Sequence, residues 1–442
     1  METLYQKSRI VSRVKKYFTA YIELLTKPSG QKLFMVLLAV MTMQTVTSIQ
    51  HIYKWFLAGL SKISQNSYYY LLNTEMKLDR FAAVTIQKAI LLTDENCKRL
   101  PVLLLLDDTL QEKYGAKFEC YSTMFDHAYH NGSQYLEGHC FVALTICVPV
   151  FISNVVHYMN VPVRFRLRKE ESKLKIASEM IGDAMKVLKD IPTVILLCDS
   201  WYPKGEVLDT VKTYENLELI ANVRVDTSIY NLPVHTGKRG RPPKKGKKLS
   251  IYTDFTFTLV GDYFTAARTV LTNLFEQIIY VTVTTPNLTN HDAYRLFVST
   301  ISPEKLNALF ADYENLLSDS ENRQAWLFPL YLYRFRWNIE VMFYELKNFW
   351  SFGNYMLRSK ISSISFLFPM LLPKFFLSLI LLLLLWQIPV LKLSNMLLAT
   401  VFAKIYFSLI SSPNSKTMLF LLNFAIYSTI LTSSIFLLRL FL

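Results

Sequence analysis

Cysteine is scarce in this chain and shows no metal-binding pattern. The chain has five cysteines in 442 residues, at Cys97, Cys120, Cys140, Cys147 and Cys198. None has zinc-ligand spacing, and most lie in apolar runs, so we expect reduced core thiols of a cytoplasmic protein. His127, His130 and His139 lie close together. They lack a cysteine or glutamate at zinc spacing, so we interpret them as polar residues of strands and loops.

Acidic residues are few relative to basic ones. The chain has 48 Lys and Arg against 34 Asp and Glu, a formal net charge of +14. Such an excess indicates a polyanionic partner, with binding that weakens steeply as the salt concentration rises. The expected partner is therefore nucleic acid.

The C-terminal part lacks acids altogether, because none follows Glu345. From Ile361 onward the chain is mostly Leu, Phe, Ile and Ser. Segments 362–391 and 417–442 reach the length and apolarity of membrane spans, although three prolines interrupt the first. Three interpretations of the tail, residues 361–442, stay open: a buried helical cap, a membrane anchor, or out-of-register translation of a decayed gene copy.

The most informative segment is YLYRFRWNIEVMFYELK, which ends at Lys347. It places Tyr333, Arg336, Glu340 and Lys347 at the spacing Tyr-x2-Arg-x3-Glu-x6-Lys. On an α-helix the other three lie within about 40° of Glu340, and apolar residues cover most of the remaining surface. Such a helix is expected to line a site, where an acid among cations suits a metal ion and a phosphate.

This spacing resembles the signature of bacterial insertion-sequence DDE transposases, whose third catalytic acid lies in such a helix. The resemblance implies two further aspartates, each at the end of a core strand. Both are present, since PVLLLLDDTL carries Asp107 and Asp108 and TVILLCDSWY carries Asp199. The implied catalytic residues and metal ligands are Asp108, Asp199 and Glu340. Asp108 is preferred to Asp107 because the family's first aspartate is commonly followed directly by Thr, and adjacent strand residues face opposite sides.

The resemblance also implies the cofactor and the DNA contacts. Three carboxylates would hold two Mg²⁺ ions, or Mn²⁺, about 3.5–4 Å apart, which activate the attacking oxygen and stabilise the leaving oxygen. Tyr333, Arg336 and Lys347 would grip the DNA backbone at the transposon end. The alternative is that these three neutralise Glu340 inside the protein.

The segments around the first two aspartates predict a ribonuclease-H-like core. Apolar or alternating runs at 102–107, 138–150 and 161–167 indicate three strands, and a helical period precedes the strand that ends at Asp199. The predicted fold class is α/β, a ribonuclease-H-like mixed sheet with a β-rich insertion between the second and third acids, a helical N-terminal region and an apolar helical tail. The predicted divisions are 1–100, 101–213 (core, first part), 214–320 (insertion), 321–360 (Glu helix) and 361–442.

The insertion contains a strongly basic loop. Residues 238–248 read KRGRPPKKGKK, where Pro and Gly exclude a packed helix. Arg239 and Arg241 resemble the short arginine hook that enters the minor groove of A·T-rich DNA. The alternative is a basic linker that holds phosphate non-specifically.

The N-terminal region, residues 1–100, is expected to be helical. Residues 47–73 contain two short helical patterns compatible with a helix-turn-helix that recognises inverted-repeat ends. A helical dimerisation or scaffold module is the alternative. We expect no signal peptide, because the first 32 residues are charged and amphipathic throughout.

These patterns predict a DNA transposase, cytoplasmic and associated with DNA, which cuts at element ends and joins the 3′-hydroxyl to target DNA. Its partners would be the inverted-repeat ends and the target DNA, and a homodimer is expected because two ends are cut in concert. The alternatives are a nuclease of the same fold without strand transfer and an inactive DNA-binding remnant. A membrane protein unrelated to DNA would leave the three acids unexplained.

Overall fold

The computed structural model describes residues 9–361, apart from 44, 116, 127–131, 133, 153–154, 235–242 and 312–323, together with alternate residues from 363 to 371. The predicted arginine hook, Arg239 and Arg241, lies outside the described residues, as do His127, His130 and the tail from residue 372 onward.

A mixed β-sheet forms the centre of the fold. Its first six strands are β1 (Val102–Glu112), β2 (Ser122–Phe125), β3 (Tyr135–Ile152), β4 (Val155–Leu167), β5 (Val194–Cys198) and β6 (Leu217–Val223). The core order is β4-β3-β1-β5-β6, in which β3 is antiparallel to both neighbours and β1, β5 and β6 are parallel. This is the ribonuclease-H order, and the predicted α/β class is confirmed.

Helices cover both faces of this sheet. They are α1 (Arg9–Ile22), α2 (Lys27–Thr42), α3 (Ile49–Ile52), α4 (Ala58–Leu60), α5 (Gln65–Asn73), α6 (Leu78–Ile90), α7 (Lys173–Val187), α8 (Glu206–Thr213), α9 (Pro303–Leu309), α10 (Phe328–Tyr333) and α11 (Trp337–Phe349). Helices α6, α7 and α8 pack on one face, against Leu104 and Leu106. Helices α2, α10 and α11 pack on the other, against Leu103 and Leu105. Burial on both sides explains why β1 and β5 are continuous apolar runs rather than alternating ones.

The predicted insertion extends the same sheet. Its strands are β7 (Ile229–Tyr230), β8 (Lys248–Leu249), β9 (Thr258–Val260), β10 (Tyr263–Thr272), β11 (Ile279–Thr285) and β12 (Arg295–Ser299). Strand β12 pairs antiparallel with β6. The sequence prediction grouped the LELIANV segment with the insertion, whereas here it forms β6 and pairs in parallel with β5.

The N-terminal region is helical in its described part. A π-helical turn, Tyr53–Leu57, connects α3 to α4, and α5 follows after an irregular segment, 61–64, whose backbone is extended at Ser61 and Ser64. Ser48 caps α3, since its hydroxyl accepts a hydrogen bond from the His51 backbone N–H. The helix-turn-helix and its role in binding DNA ends stay a prediction.

The start of the tail packs on the core. The described residues between 360 and 371 are helical, and Leu367 and Leu371 are buried against the face that carries α11. Among the residues that the structure describes, no helix is both long enough and apolar enough to cross a bilayer.

Candidate active site

Two aspartates lie where the parallel pairing of β1 with β5 ends: Asp107 is inside β1, and Asp199 directly follows β5. The parallel pairing sets Leu105 opposite Leu197 and Leu106 opposite Cys198. Continued by one residue, the register sets Asp107 opposite Asp199, on strands roughly 4.8 Å apart. Side chains alternate along a strand, so the Asp107 carboxylate points to the face on which Leu105 packs against α11. Asp199 directly follows β5, and its Oδ1 accepts a hydrogen bond from the Trp201 backbone N–H.

Arg336 connects Asp107 to the third predicted acid, Glu340. Its guanidinium Nη1 donates to Asp107 Oδ2 at 2.9 Å, and its Nη2 donates to Glu340 Oε1. Arg336 and Asp107 are largely buried, with side chains 15% and 16% exposed. The two carboxylates therefore share one buried cation.

Asp108 faces the other side of the sheet. Its Oδ2 accepts from Lys173 Nζ at 2.8 Å, and its Oδ1 accepts from the Tyr202 hydroxyl at 2.8 Å. Lys173 is the first residue of α7, on the face opposite to α11. The structure thus brings Asp107 into contact with the Arg336–Glu340 pair, while the sequence-based preference for Asp108 stays a prediction.

Burial and repulsion between neighbouring carboxylates raise the pKa values of the aspartates at this site. Burial raises the pKa of Asp107 to about 7 against the effect of Arg336, and the charges of Asp199 and Asp108 raise it further. Burial also raises the pKa of Asp199, although the Trp201 backbone N–H and Arg336 oppose this. Both shifts favour the neutral carboxyls, so a further cation bound here would stabilise their charged forms.

The chemistry of this donor set suits a divalent metal ion. Asp107, Asp199 and Glu340 are carboxylates, the hard oxygen ligands that Mg²⁺ and Mn²⁺ prefer, and Arg336 supplies a positive charge between two of them. Within the described residues, no three acidic, histidine or cysteine side chains are grouped closely enough to hold one metal ion. Because Arg336 already binds Asp107 and Glu340, an ion held between these two carboxylates would have to replace the guanidinium.

The other two residues of the predicted stripe contact protein groups. Lys347 Nζ donates to the Leu110 carbonyl at 2.9 Å. The Tyr333 ring packs against Phe297 at 4.9 Å between ring centroids, and the Arg336 guanidinium lies 5.9 Å from the Tyr333 ring centroid. The predicted single helix is interrupted by a 3₁₀ turn, Arg334–Arg336, between α10 and α11.

A buried lysine that the sequence analysis missed fixes the chain beyond α11. Lys113 Nζ donates to the carbonyls of Gly353 and Tyr355, the latter at 2.7 Å, and lies 3.7 Å from the Tyr355 ring centroid. His139 Nε2 lies 2.9 Å from the Glu119 carbonyl, which can only accept, so Nε2 carries the proton. His139 Nδ1 then accepts from the Tyr355 hydroxyl at 2.6 Å. These contacts tie the segment after the Glu340 helix to β1 and β3.

We expect acid to destabilise the fold through His139. Burial lowers the pKa of His139 to about 4; its hydrogen bond to Glu119 opposes this and the charge of Lys113 adds to it. Because the folded pKa lies below the unfolded value of about 6.5, the neutral imidazole's contribution is fully present above pH ~6.5 and is lost as the pH falls through ~4. Urea unfolding should show a loss of about 3 kcal/mol from this residue across that window.

The matched variants separate His139 from other acid-sensitive groups. His139→Asn should flatten the pH dependence between about 6.5 and 4. His291→Asn, at an exposed position, should retain the native pH profile. Equal profiles for native protein and His139→Asn would contradict the assignment.

Comparison with known families adds independent information. The family described as DDE superfamily endonuclease matches residues 25–259 of this chain, which is more than half of its 442 residues. The matched range includes Asp107, Asp108 and Asp199, and it ends before Glu340. No curated protein matches the chain significantly.

Proposed function

Because the chain belongs to the DDE superfamily of endonucleases, we propose that it is a DNA transposase, which cuts phosphodiester bonds at element ends and joins the 3′-hydroxyl to target DNA. The observation that carries the proposal is the Arg336 side chain, which joins Asp107 to Glu340 where the parallel pairing of β1 with β5 ends. The excess of basic residues, +14 overall, supports DNA as the partner.

The proposal assigns the three acids to Asp107, Asp199 and Glu340. Asp107 replaces Asp108 in this assignment because Arg336 links Asp107 directly to Glu340, whereas Lys173 and Tyr202 bind the Asp108 carboxylate. Asp108 then acts as a positioning residue that ties the middle of β1 to the start of α7.

Together, Asp107, Asp199 and Glu340 would hold two divalent metal ions, either Mg²⁺ or Mn²⁺. When bound, these ions would activate the attacking oxygen and stabilise the leaving oxygen. The protein's own contribution is to keep the carboxylates buried and aligned, with Arg336 balancing their charge before the metal binds. Once released from Asp107, the guanidinium would be free to bind a DNA phosphate through two parallel hydrogen bonds.

The remaining DNA contacts follow the same proposal. Tyr333, which lies beside Arg336, and Lys347 would bind the backbone at the transposon end. Arg239 and Arg241 of the basic loop would bind the minor groove. The N-terminal helices would recognise the inverted repeats. We propose a cytoplasmic homodimer on DNA, because two ends must be cut together.

The test uses the terminal repeats that flank the protein's own gene. Full-length protein is incubated with this DNA in Mg²⁺ or in EDTA, next to Glu340→Gln. The expected result is cleavage that requires Mg²⁺ and is lost in the variant. Absence of cleavage by native protein that still binds the repeats would favour the inactive remnant.

A second assay separates a transposase from a nuclease of the same fold. Here the protein receives a pre-cleaved end and a second duplex. Joined products are expected for a transposase, whereas cleavage in the first assay without joining in the second would favour a nuclease.

A further inference from the structure

Trp201 is a large aromatic side chain that stays exposed beside the candidate active site. It lies two residues after Asp199, and its backbone N–H donates to Asp199 Oδ1 at 3.1 Å. Its side chain is on the surface, with 37% of the residue exposed, although the neighbouring Tyr202 is fully buried. The indole is therefore held at a fixed place next to a proposed catalytic acid.

Two lysine ammonium groups lie over the indole. Lys173 Nζ is 4.8 Å and Lys204 Nζ is 4.3 Å from the ring centroid. Lys173 is also bound to Asp108 at 2.8 Å, so it is fixed from the protein side. Lys204 is exposed, and its ammonium rests on the indole. We call Trp201, Lys173 and Lys204 the Trp201 cluster.

The Trp201 cluster is rigid on its inner side. Tyr202 packs edge-on against Trp201 at 5.5 Å between ring centroids, and its hydroxyl is bound to Asp108. Lys204 makes an exposed cation–π contact, which stabilises the fold by only about 0.5–1 kcal/mol. Lys204 can therefore leave the indole at small cost and expose the ring face to a ligand.

A flat aromatic face flanked by ammonium groups suits one ligand chemistry. Nucleobases stack on such faces and the adjacent phosphates bind the cations, which is how proteins hold single-stranded nucleic acid. In a duplex every base face is already stacked on its neighbours, so an indole can stack only on a base that has left the helix. The chemistry of the Trp201 cluster therefore selects an unpaired nucleotide.

We propose that Trp201 stacks on an unpaired nucleotide of the DNA strand at Asp199, while Lys204 moves from the indole to a neighbouring phosphate. The inference rests on the proposed function, since it takes DNA as the substrate. It adds a binding subsite for a displaced base next to the acids and gives Asp108 and Tyr202 the task of positioning that subsite.

The test measures DNA binding rather than cleavage. Full-length protein in EDTA is titrated with a short oligothymidine strand that carries one 2-aminopurine, and with a fully paired duplex of the same sequence. Binding is followed by fluorescence anisotropy, and base stacking by quenching of the 2-aminopurine. Thermal unfolding of each variant checks that it is folded.

Four variants separate stacking from charge and from general effects. Trp201→Leu should weaken single-strand binding roughly 5- to 150-fold and abolish the quenching, while Trp201→Tyr should stay within about 3-fold of native and keep it. Lys204→Met should weaken binding and reduce its salt dependence. Tyr114→Leu is the control, because Tyr114 is also an exposed aromatic residue but lies outside the Trp201 cluster, the proposed acids and the N-terminal helices.

The outcomes distinguish this inference from the proposed function. Equal single-strand binding and quenching by native protein and Trp201→Leu would overturn the inference, even if the protein cuts DNA. Equal weakening of duplex and single-strand binding would also overturn it, because it would indicate a backbone contact. If the protein binds single strands through Trp201 but never cuts DNA, the inference is supported. Only the proposed transposase activity is then contradicted.

Discussion

Asp107→Asn is expected to abolish metal-dependent DNA cleavage, whereas Asp108→Asn is expected to leave it within about ten-fold of native. Removal of a metal-ligating carboxylate forfeits several kcal/mol of transition-state stabilisation, which corresponds to a rate loss of about 10³-fold or more. Asp107 shares Arg336 with Glu340, and it comes opposite Asp199 when the parallel register is continued by one residue. The measurement is the single-turnover cleavage rate on the terminal repeats in Mg²⁺.

The Asp108 variant should instead show a structural defect. Lys173 and Tyr202 would lose a charged partner, so we expect a loss of about 1–3 kcal/mol in the free energy of unfolding. Asp190→Asn, at an exposed position beyond α7, should match native protein in both measurements. Cleavage that survives Asp107→Asn and disappears in Asp108→Asn would show that the Asp-Thr pair identifies the ligand better than the strand register does.

The sequence contains evidence for the alignment of β1 with β5 that the choice of Asp108 did not use. The runs VLLLLD and VILLCD each place an aspartate five residues after a valine, so matching Val102 with Val194 also matches Asp107 with Asp199. The preference for Asp108 rested on the following Thr109 instead. Apolar residues on both faces of β1 hide which side each aspartate faces, because alternation carries no signal in a strand buried on both sides.

Helical periodicity predicted the charged stripe but not its partners. Tyr333, Arg336, Glu340 and Lys347 do follow one another along α10, the 3₁₀ turn and α11. The Arg336 contact with Asp107, however, joins residues 229 positions apart. Such a contact depends on how α11 packs on β1, and no local pattern records it. The same holds for Lys113, whose partners lie beyond α11.

The insertion shows a further limit of local patterns. Alternating Thr, Val and Tyr residues correctly indicated strands between the second and third acids. They could not show that β12 would pair with β6 and so continue the core sheet, since strand pairing is a long-range choice. The β-rich segment therefore extends the core sheet beyond β6.

Arg336→Met is expected to destabilise the metal-free protein strongly and to make its stability depend on divalent cations. The substitution leaves the Asp107 and Glu340 carboxylates without their shared cation. Breaking a buried pair from one side typically costs about 3–5 kcal/mol, and we expect about 3 because Glu340 is partly exposed. Urea unfolding in EDTA at neutral pH measures this loss. Arg334→Met, at an exposed position of the same 3₁₀ turn, is the matched control and should stay close to native.

Mg²⁺ should then stabilise Arg336→Met more than it stabilises native protein. In the native chain a metal ion must displace the guanidinium from two carboxylates, whereas in the variant these carboxylates are free. A ligand present at about 100 times its dissociation constant adds about 2.7 kcal/mol to the free energy of unfolding, so most of the lost stability should return. Equal Mg²⁺ effects on native protein, Arg336→Met and Arg334→Met would mean that metal does not bind at Asp107 and Glu340. Recovery confined to Arg336→Met would instead show that Arg336 and the metal ion compete for the same carboxylates, as the proposed chemistry requires.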